Sequence, residues 1–191
     1  MKLFENIKIT DSQLQPIVDW YEKNKDFAPV VTKYNKKGHW AAISLKGYGS
    51  DPMAIGKGGV LGTQTESVLQ ETALYDELNI GSILEQIPAE TERVRLMSLK
   101  RGTKITKHSD QVDKDIKTGK IIRLHIPVVT HENIICQTWL SGGMAEFRMK
   151  RGECWWLDVS RPHAVINNSE IDRVHIVIDC FNNDTLKEVI L

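Results

Sequence analysis

Two short stretches of this chain carry the residue types of a metal centre. His108-Ser109-Asp110 places an imidazole and a carboxylate two residues apart, and in an extended segment both side chains leave the same face. His163 supplies a second imidazole from a distant part of the chain. Two histidines and one carboxylate occupy one face of a metal octahedron and leave the other face open, which is typical of non-haem Fe(II) oxygenases. Ligand type alone also admits Mn, Co, Ni or Zn.

Arginine and histidine recur two residues apart on two apolar, strand-like segments. Arg123-Leu124-His125 and Arg173-Val174-His175 each place both polar residues on one face and apolar residues on the other. A charge inside an apolar strand needs a counter-charge, and guanidinium groups pair with carboxylates in a planar, two-pronged geometry. We therefore predict that these residues converge on a dicarboxylate. The alternative, in which these faces are exposed to solvent, stays open.

Trp40 begins a further predicted strand, Trp40–Leu45. Its indole could line the pocket of a co-substrate or pack in the core, and both readings remain open at this point. The glycine-rich segment from Lys46 to Gly62 is a candidate lid over a substrate, because long loops in compact domains are often functional.

The elements that must position these side chains change in character along the chain. The first third predicts helices at Asp11–Asn24, Thr65–Leu78 and Ser82–Ile87 and strands at Phe27–Tyr34 and Trp40–Leu45, from apolar spacing and capping residues. Later residues form short β-branched or aromatic runs separated by turn residues. These runs are Val94–Leu99, Lys104–His108, Ile121–Thr130, Ile134–Leu140, Ala145–Met149, Glu153–Asp158, His163–Asn167 and Arg173–Phe181. They predict an antiparallel sandwich or jelly roll, buttressed by the N-terminal helices.

Composition sets limits on the function. The chain has 191 residues, with 25 Lys+Arg and 25 Asp+Glu, so one domain is expected and no basic surface favours nucleic acid. Cys136, Cys154 and Cys180 lack CxxC spacing, and reduced, buried thiols are the simpler interpretation. No stretch is long and apolar enough to predict a membrane span, and the N-terminus lacks the pattern of a signal peptide. A cytoplasmic location is the resulting expectation.

The order and spacing of several segments resemble the aspartyl/asparaginyl β-hydroxylase family of Fe(II)/2-oxoglutarate dioxygenases. The similarity covers roughly Val94 to Phe181, with a weaker match at the strand beginning at Trp40. The matching segments are Arg101-Gly102-Thr103, His108-Ser109-Asp110, Arg123-Leu124-His125-Ile126-Pro127-Val128, Gly152-Glu153-Cys154-Trp155-Trp156-Leu157-Asp158, His163-Ala164-Val165-Ile166-Asn167-Asn168 and Arg173-Val174-His175-Ile176-Val177-Ile178-Asp179.

The resemblance implies a fold and an assignment of roles. The fold would be mainly β (α+β), a distorted double-stranded β-helix of the cupin-like jelly-roll type. His108, Asp110 and His163 would bind Fe(II), and Arg173 would pair with the distal carboxylate of 2-oxoglutarate. Arg123 and His125 match positions that also touch this co-substrate, and Trp40 is a candidate for its pocket. O2 would be the oxidant.

Asp110 separates this chain from part of the family. The animal members that hydroxylate peptides lack a carboxylate at this position, so the chain resembles the bacterial and phage-type branch. The expected substrate is a small amino acid or an amino-acid residue, hydroxylated at an unactivated C–H with release of succinate and CO2, and acyl chains are a less favoured possibility. No nucleic-acid or membrane partner is expected.

Domain organisation and two other functions complete the expectations. Residues 1–191 should form a single dioxygenase domain, with a helical, lid-containing part at 1–90 and the jelly-roll core at 91–181. Two alternatives stay open: a cupin-like metal protein of non-oxygenase function, and a metal-free jelly-roll module for binding or structure. The last alternative predicts that His108, Asp110 and His163 do not meet.

Overall fold

The computed structural model describes residues 1–35, 37–56, 68–110 and 119–191. Twelve strands and four helices are assigned within these ranges, and the strands dominate. The strands are β1 Lys2–Lys8, β2 Ala28–Pro29, β3 Trp40–Gly47, β4 Gln70–Glu71, β5 Thr91–Leu99, β6 Lys104–His108, β7 Ile121–Val129, β8 Ile134–Leu140, β9 Gly143–Phe147, β10 Glu153–Trp156, β11 His163–Asn167 and β12 Arg173–Phe181. The helices are α1 Asp11–Lys23, α2 Ala73–Glu77, α3 Ile80–Leu84 and α4 Asp184–Ile190.

Two antiparallel sheets form the body of the molecule. The larger sheet has the order β1-β10-β7-β12-β5-β3-β2, with β4 paired to β3. The smaller sheet has the order β6-β11-β8-β9. Neighbouring strands are mostly distant in sequence, as in a jelly roll that winds back and forth between two sheets. The predicted fold class, a mainly β jelly roll buttressed by N-terminal helices, is confirmed.

Two apolar layers hold the sheets and helices together. Leu14 and Ile17 of α1 pack on the outer face of the large sheet, against side chains such as Leu124 and Ile176. Between the two sheets lies a second cluster that includes Leu99, Ile105, Cys136, Phe147 and Val165. Because side chains alternate across a strand, the large sheet shows one face to the helices and the other to the interior of the barrel.

The first strands and helix differ from the predicted elements. β1 was not predicted, because its buried residues Phe4 and Ile7 do not alternate strictly and its register against β10 shifts. The predicted strand Phe27–Tyr34 is reduced to the two residues of β2. α1 ends one residue earlier than predicted, and its N-cap is Thr10, whose side chain forms a capping box with Gln13.

The segments between β3 and β5 also differ from the predictions. The predicted helix Thr65–Leu78 is reduced to α2, because Gln70–Glu71 form β4 instead. Residues 65–67 lie outside the described part of the chain. The predicted lid from Lys46 to Gly62 lies partly outside the described residues. Four strands of the large sheet precede residue 91, so the N-terminal part supplies sheet as well as helices. Among the described residues, no helix has the length and apolarity needed to cross a bilayer.

Candidate metal centre and co-substrate pocket

The three predicted metal ligands come together between the two sheets. His163 at the start of β11 lies directly opposite His108 at the end of β6, and Asp110 follows β6 at once. Their ligand atoms all lie within 4.8 Å of one another, and His108 Nε2 is 3.5 Å from Asp110 Oδ1. His108 and His163 are only 8% and 7% exposed. The strand pairing therefore places two imidazoles and one carboxylate around a common point.

Hydrogen bonds orient both imidazoles toward that point. The Nδ1 of His108 donates to the carbonyl of Thr106 at 2.7 Å, and the Nδ1 of His163 donates to the carbonyl of Arg161 at 3.0 Å. This leaves each Nε2 lone pair directed inward, as in the second shell of metal-binding histidines. The Nε2 of His108 is buried and has no hydrogen-bond partner among the described residues. Burial lowers the pKa of His163, which favours the neutral imidazole that a metal requires.

Asp110 is held from two sides. Its backbone N–H donates to the carbonyl of Val159 at 2.8 Å, and Nη1 of Arg123 donates to its Oδ2. Its Oδ1 is the oxygen that faces His108. Two neutral imidazoles and one carboxylate supply the nitrogen and oxygen ligands that Fe(II) accepts, so the residues present fit the implied metal.

The carboxylate of Asp179 accepts hydrogen bonds from three guanidinium groups at one end of the inner face. On paired strands, Asp179 lies opposite Arg93 and opposite Arg123. Asp179 Oδ1 accepts from Arg123 Nε at 2.7 Å, and its Oδ2 accepts from Arg93 Nη2 at 2.8 Å and from Arg95 Nη2 at 3.0 Å. Burial alone would raise the pKa of Asp179, but Arg123 and Arg95 hold it well below its usual range. Asp179 is therefore an ionised anchor with no exposure to solvent.

The opposite end of the same inner face carries a guanidinium without a carboxylate. Arg173 is 4% exposed, and its Nη2 donates to His175 Nδ1 at 2.8 Å. Its Nε has no partner, and no carboxylate among the described residues pairs with it. Burial lowers the pKa of Arg173. This end of the barrel thus holds a buried cation that a bound anion would neutralise.

Two imidazoles beside Arg173 also have unused polar atoms. Both ring nitrogens of His125, and the Nε2 of His175, are buried without a partner in the described chain. Burial is the main reason why the pKa of each imidazole lies well below its ordinary value, and the charge of Arg173 lowers it further. One enclosed cavity touches His125, Arg173 and the three predicted metal ligands. It therefore joins the metal ligands to the unpaired guanidinium.

The remaining predicted site residues, Trp40 and Arg123, line the cavity and also contact other residues of the site. The Trp40 ring lies 5.9 Å from the His108 ring between centroids and lines the enclosed cavity, so it is both a packing residue and a wall of the site. Arg123 also lines the cavity, but its hydrogen bonds go to Asp110 and Asp179. Its contact with a co-substrate stays a prediction.

Arg93, Arg95 and Asp179 were not predicted as site residues from the sequence. Arg93 and Arg95 alternate with apolar residues on β5, the same pattern that drew attention to Arg123 and Arg173. That pattern could have identified them. Asp179 lies at the end of an apolar strand, where an ionised group needs buried partners.

A family profile described as aspartyl/asparaginyl beta-hydroxylase matches residues 8–183. The chain belongs to this family. The match includes both ends of the inner face and all three predicted metal ligands, so this is a hydroxylase of the Fe(II)/2-oxoglutarate oxygenase type.

Two solved structures are similar to this hydroxylase in fold. One is a 2OG-Fe(II) oxygenase family oxidoreductase from Burkholderia pseudomallei, with a TM-score of 0.57 and 12% identity, covering 90% of this chain and 78% of that one. The other is a non-heme monooxygenase, the ThoJ-Ni complex, with a TM-score of 0.52 and 10% identity, covering 94% of this chain and 72% of that one. At these identities the similarity shows the shared fold.

Proposed function

We propose that this hydroxylase binds Fe(II) through His108, Asp110 and His163 and uses 2-oxoglutarate and O2 to hydroxylate an unactivated C–H of a small amino acid or amino-acid residue. The observation that carries the proposal is the enclosed cavity between the triad and Arg173. It has nitrogen and oxygen ligands at one end and an unpaired guanidinium at the other. A diacid that chelates a metal at one end and carries a carboxylate at the other matches this arrangement.

The bound iron and 2-oxoglutarate supply the oxidising power, with release of succinate and CO2, and the protein supplies positioning and exclusion of water. Arg173 would bind the distal carboxylate. The unpaired nitrogens of His125 and His175 are available as further donors, because a neutral imidazole carries one N–H. Arg123 keeps the Asp110 carboxylate in place, and the buried face around it limits access of water.

The test measures succinate formation from 2-oxoglutarate by purified protein with Fe(II) and ascorbate. Proline, aspartate and asparagine would be supplied first as free amino acids and then within short peptides. Stimulated succinate formation matched by an equal amount of hydroxylated product is the expected result. A cupin-like protein of non-oxygenase function would form no succinate with any metal. The metal-free alternative is disfavoured because the three ligands do converge.

Three variants separate the assigned roles. Asp110→Ala should lower Fe(II) affinity at least about 100-fold, the upper end of what loss of a supporting contact costs. Arg173→Ala should raise the KM for 2-oxoglutarate without changing Fe(II) affinity. Asp19→Ala, which removes an exposed carboxylate on α1, is the matched control and should match the wild type. Unchanged Fe(II) affinity in Asp110→Ala, or an unchanged KM in Arg173→Ala, would overturn the corresponding assignment.

We also propose that residues 1–191 act as one domain in a reducing, cytoplasmic setting. The large sheet takes strands from both 1–90 and 91–181, which supports a single folding unit. Cys136, Cys154 and Cys180 are free and buried, which supports a reducing environment.

A further inference from the structure

An open groove of about 420 Å³ lies beside the predicted metal ligands. His108 and Asp110 form part of its wall, and neither Arg173 nor His125 lines it. The cavity described above touches the same two ligands and extends to Arg173 and His125. The groove is the more open of the two to a second molecule.

The lining of the groove includes both cationic and apolar side chains. Arg93, Arg95 and Arg123 are among the cationic residues, and Val30 and Met97 are among the apolar ones. Met97 also belongs to a small apolar cluster with Ala42 and Val177. A molecule with a negatively charged group and a compact apolar body is complementary to such a groove.

The three guanidiniums are not equally occupied. Arg123 uses Nε, Nη1 and Nη2 on the carboxylates of Asp179 and Asp110. Arg93 and Arg95 each donate only Nη2 to Asp179, and the Nε of each is buried without a hydrogen-bond partner in the described chain. The single carboxylate of Asp179 thus forms ion pairs with three guanidinium groups.

Glu92 is a further carboxylate beside Arg93. Glu92 Oε2 lies 3.9 Å from Arg93 Nε, a distance too long for a hydrogen bond, and Glu92 Oε1 accepts from Tyr48 at 2.7 Å. Burial lowers the pKa of Arg95 to about 9, although the charges of Asp179 and Asp110 act in the opposite direction. Arg95 remains a cation at neutral pH, and its Nε has no hydrogen-bond partner among the described residues.

From these contacts we infer that Arg95, assisted by Arg93, binds a carboxylate of the prime substrate in the groove, with Val30 and Met97 beside the apolar body. This inference rests on the proposed function, because it names the class of molecule that the hydroxylase acts on: a free or peptide-borne carboxylate rather than a neutral acyl chain. Asp179 fixes the two arginines so that their remaining N–H groups can receive the anion.

A binding experiment on the metal-free protein tests this inference independently of turnover. The probes are L-aspartate, L-asparagine, L-aspartic acid 1-amide and the diamide of aspartic acid, together with L-proline and L-prolinamide, measured by calorimetric titration. We expect at least one carboxylate to bind about 10- to 100-fold more tightly than its amide, the range for loss of a charge-assisted hydrogen bond. No preference for any carboxylate over its amide would overturn the inference.

The amide series also distinguishes the source of the carboxylate. L-asparagine keeps only the α-carboxylate, and L-aspartic acid 1-amide keeps only the side-chain carboxylate. Preferred binding of the first indicates a free amino acid. Preferred binding of the second indicates an aspartyl side chain, as in a peptide, and both results support a carboxylate site.

Variants assign the site to Arg95 rather than to Arg173, which could also attract a carboxylate. Arg95→Gln should remove the preference for the carboxylate, and Arg173→Gln should retain it. Arg95→Lys keeps the charge and should retain part of the preference if the glutamine variant folds poorly. Arg148→Gln, a substitution of an exposed arginine whose Nε donates to the carbonyl of Glu132, is the control. A preference that survives in Arg95→Gln and disappears in Arg173→Gln would overturn the inference.

Turnover measurements give a separate readout once an active substrate is known. Arg95→Gln should raise the KM for that substrate and lower the amount of hydroxylated product per succinate, while the KM for 2-oxoglutarate stays constant. If the wild type forms no succinate at all, the proposed function fails, and the binding titration still decides whether the carboxylate site exists.

Discussion

The two ends of the inner face of the large sheet use the same residue type in different ways. At one end Arg93, Arg95 and Arg123 surround the buried carboxylate of Asp179. At the other end Arg173 is buried next to His175 and has no carboxylate among the described residues. The first end is stabilised by an anion that belongs to the chain. At the second end, an anion from outside the chain would neutralise the buried charge.

This difference separates arginines that have a carboxylate partner within the chain from an arginine that has none among the described residues. A buried guanidinium with its own carboxylate contributes to the positions of its neighbours, as Arg123 does for Asp110. A buried guanidinium without one raises the free energy of the folded protein. Such a cost is expected at binding sites, where a ligand offsets it.

Asp179→Asn should have the largest effect on stability. It removes a buried anion shared by three guanidiniums, and breaking a buried charge network from one side costs about 3–5 kcal/mol. Chemical unfolding by urea measures the change in the free energy of unfolding. Because Arg123 also holds Asp110, Fe(II) affinity should fall about 10- to 100-fold in any protein that still folds.

Asp172→Asn is the matched control for this carboxylate. Asp172 accepts hydrogen bonds from Tyr21, Lys100 and the backbone of Arg101, but it is partly exposed. Its loss should cost roughly 1 kcal/mol and leave Fe(II) affinity unchanged. Equal losses of stability in the two variants would remove the distinction between the ends of the barrel.

Arg173→Met should change the free energy of unfolding less than Asp179→Asn does. It removes a buried charge without a counter-charge, so the free energy of unfolding should rise or fall by no more than about 1 kcal/mol, the value of the lost hydrogen bond to His175. Affinity for 2-oxoglutarate should nevertheless fall about 100-fold, in the range for loss of one partner of a buried ion pair.

Urea unfolding without ligand, and titration of 2-oxoglutarate by its effect on the melting temperature, measure the two quantities for Arg173→Met. A loss of stability as large as that of Asp179→Asn would show that Arg173 contributes to the stability of the fold as strongly as the Asp179 cluster does.

The sequence was sufficient for the parts of the site that depend on local pattern. The spacing of His108 and Asp110 and the strand that begins at His163 predicted residues that the structure brings together. Strands β6, β8, β11 and β12 have the predicted bounds. Short runs bounded by turn residues determine such strands, so no knowledge of the partner strand was needed.

Strand pairing determines what the sequence could not predict. β9 starts at Gly143, two residues before the predicted start, because a tight turn places Gly143 opposite Leu140 of β8. The cluster at Asp179 depends on β5 and β7 lying on either side of β12 in one register. A shift of one residue in either pairing would move the arginines to the helix-covered face. Nothing in the local sequence fixes that register.

The end of the barrel where Arg173 has no carboxylate partner among the described residues should also make stability depend on pH. His125 and His175 are kept neutral by burial and by Arg173, so the folded-state pKa of each lies well below the ordinary value of 6.5. Below pH 6.5 the unfolded chain therefore binds protons that the folded chain does not. Stability should fall as the pH decreases through this window, by about 1.4 kcal/mol per pH unit for each imidazole, and should not change through these groups above it.

Urea unfolding of the metal-free protein at pH 7.5 and 5.5 measures this dependence, to which His163 also contributes through its own lowered pKa. His175→Gln keeps an acceptor for Arg173 and should reduce the loss of stability by the share of one imidazole. His131→Gln, which replaces an exposed imidazole, should leave the loss unchanged. Among the described residues, the cluster of three arginines at Asp179 contains no histidine. If the full pH dependence persisted in His175→Gln, its assignment to the Arg173 end of the barrel would be wrong.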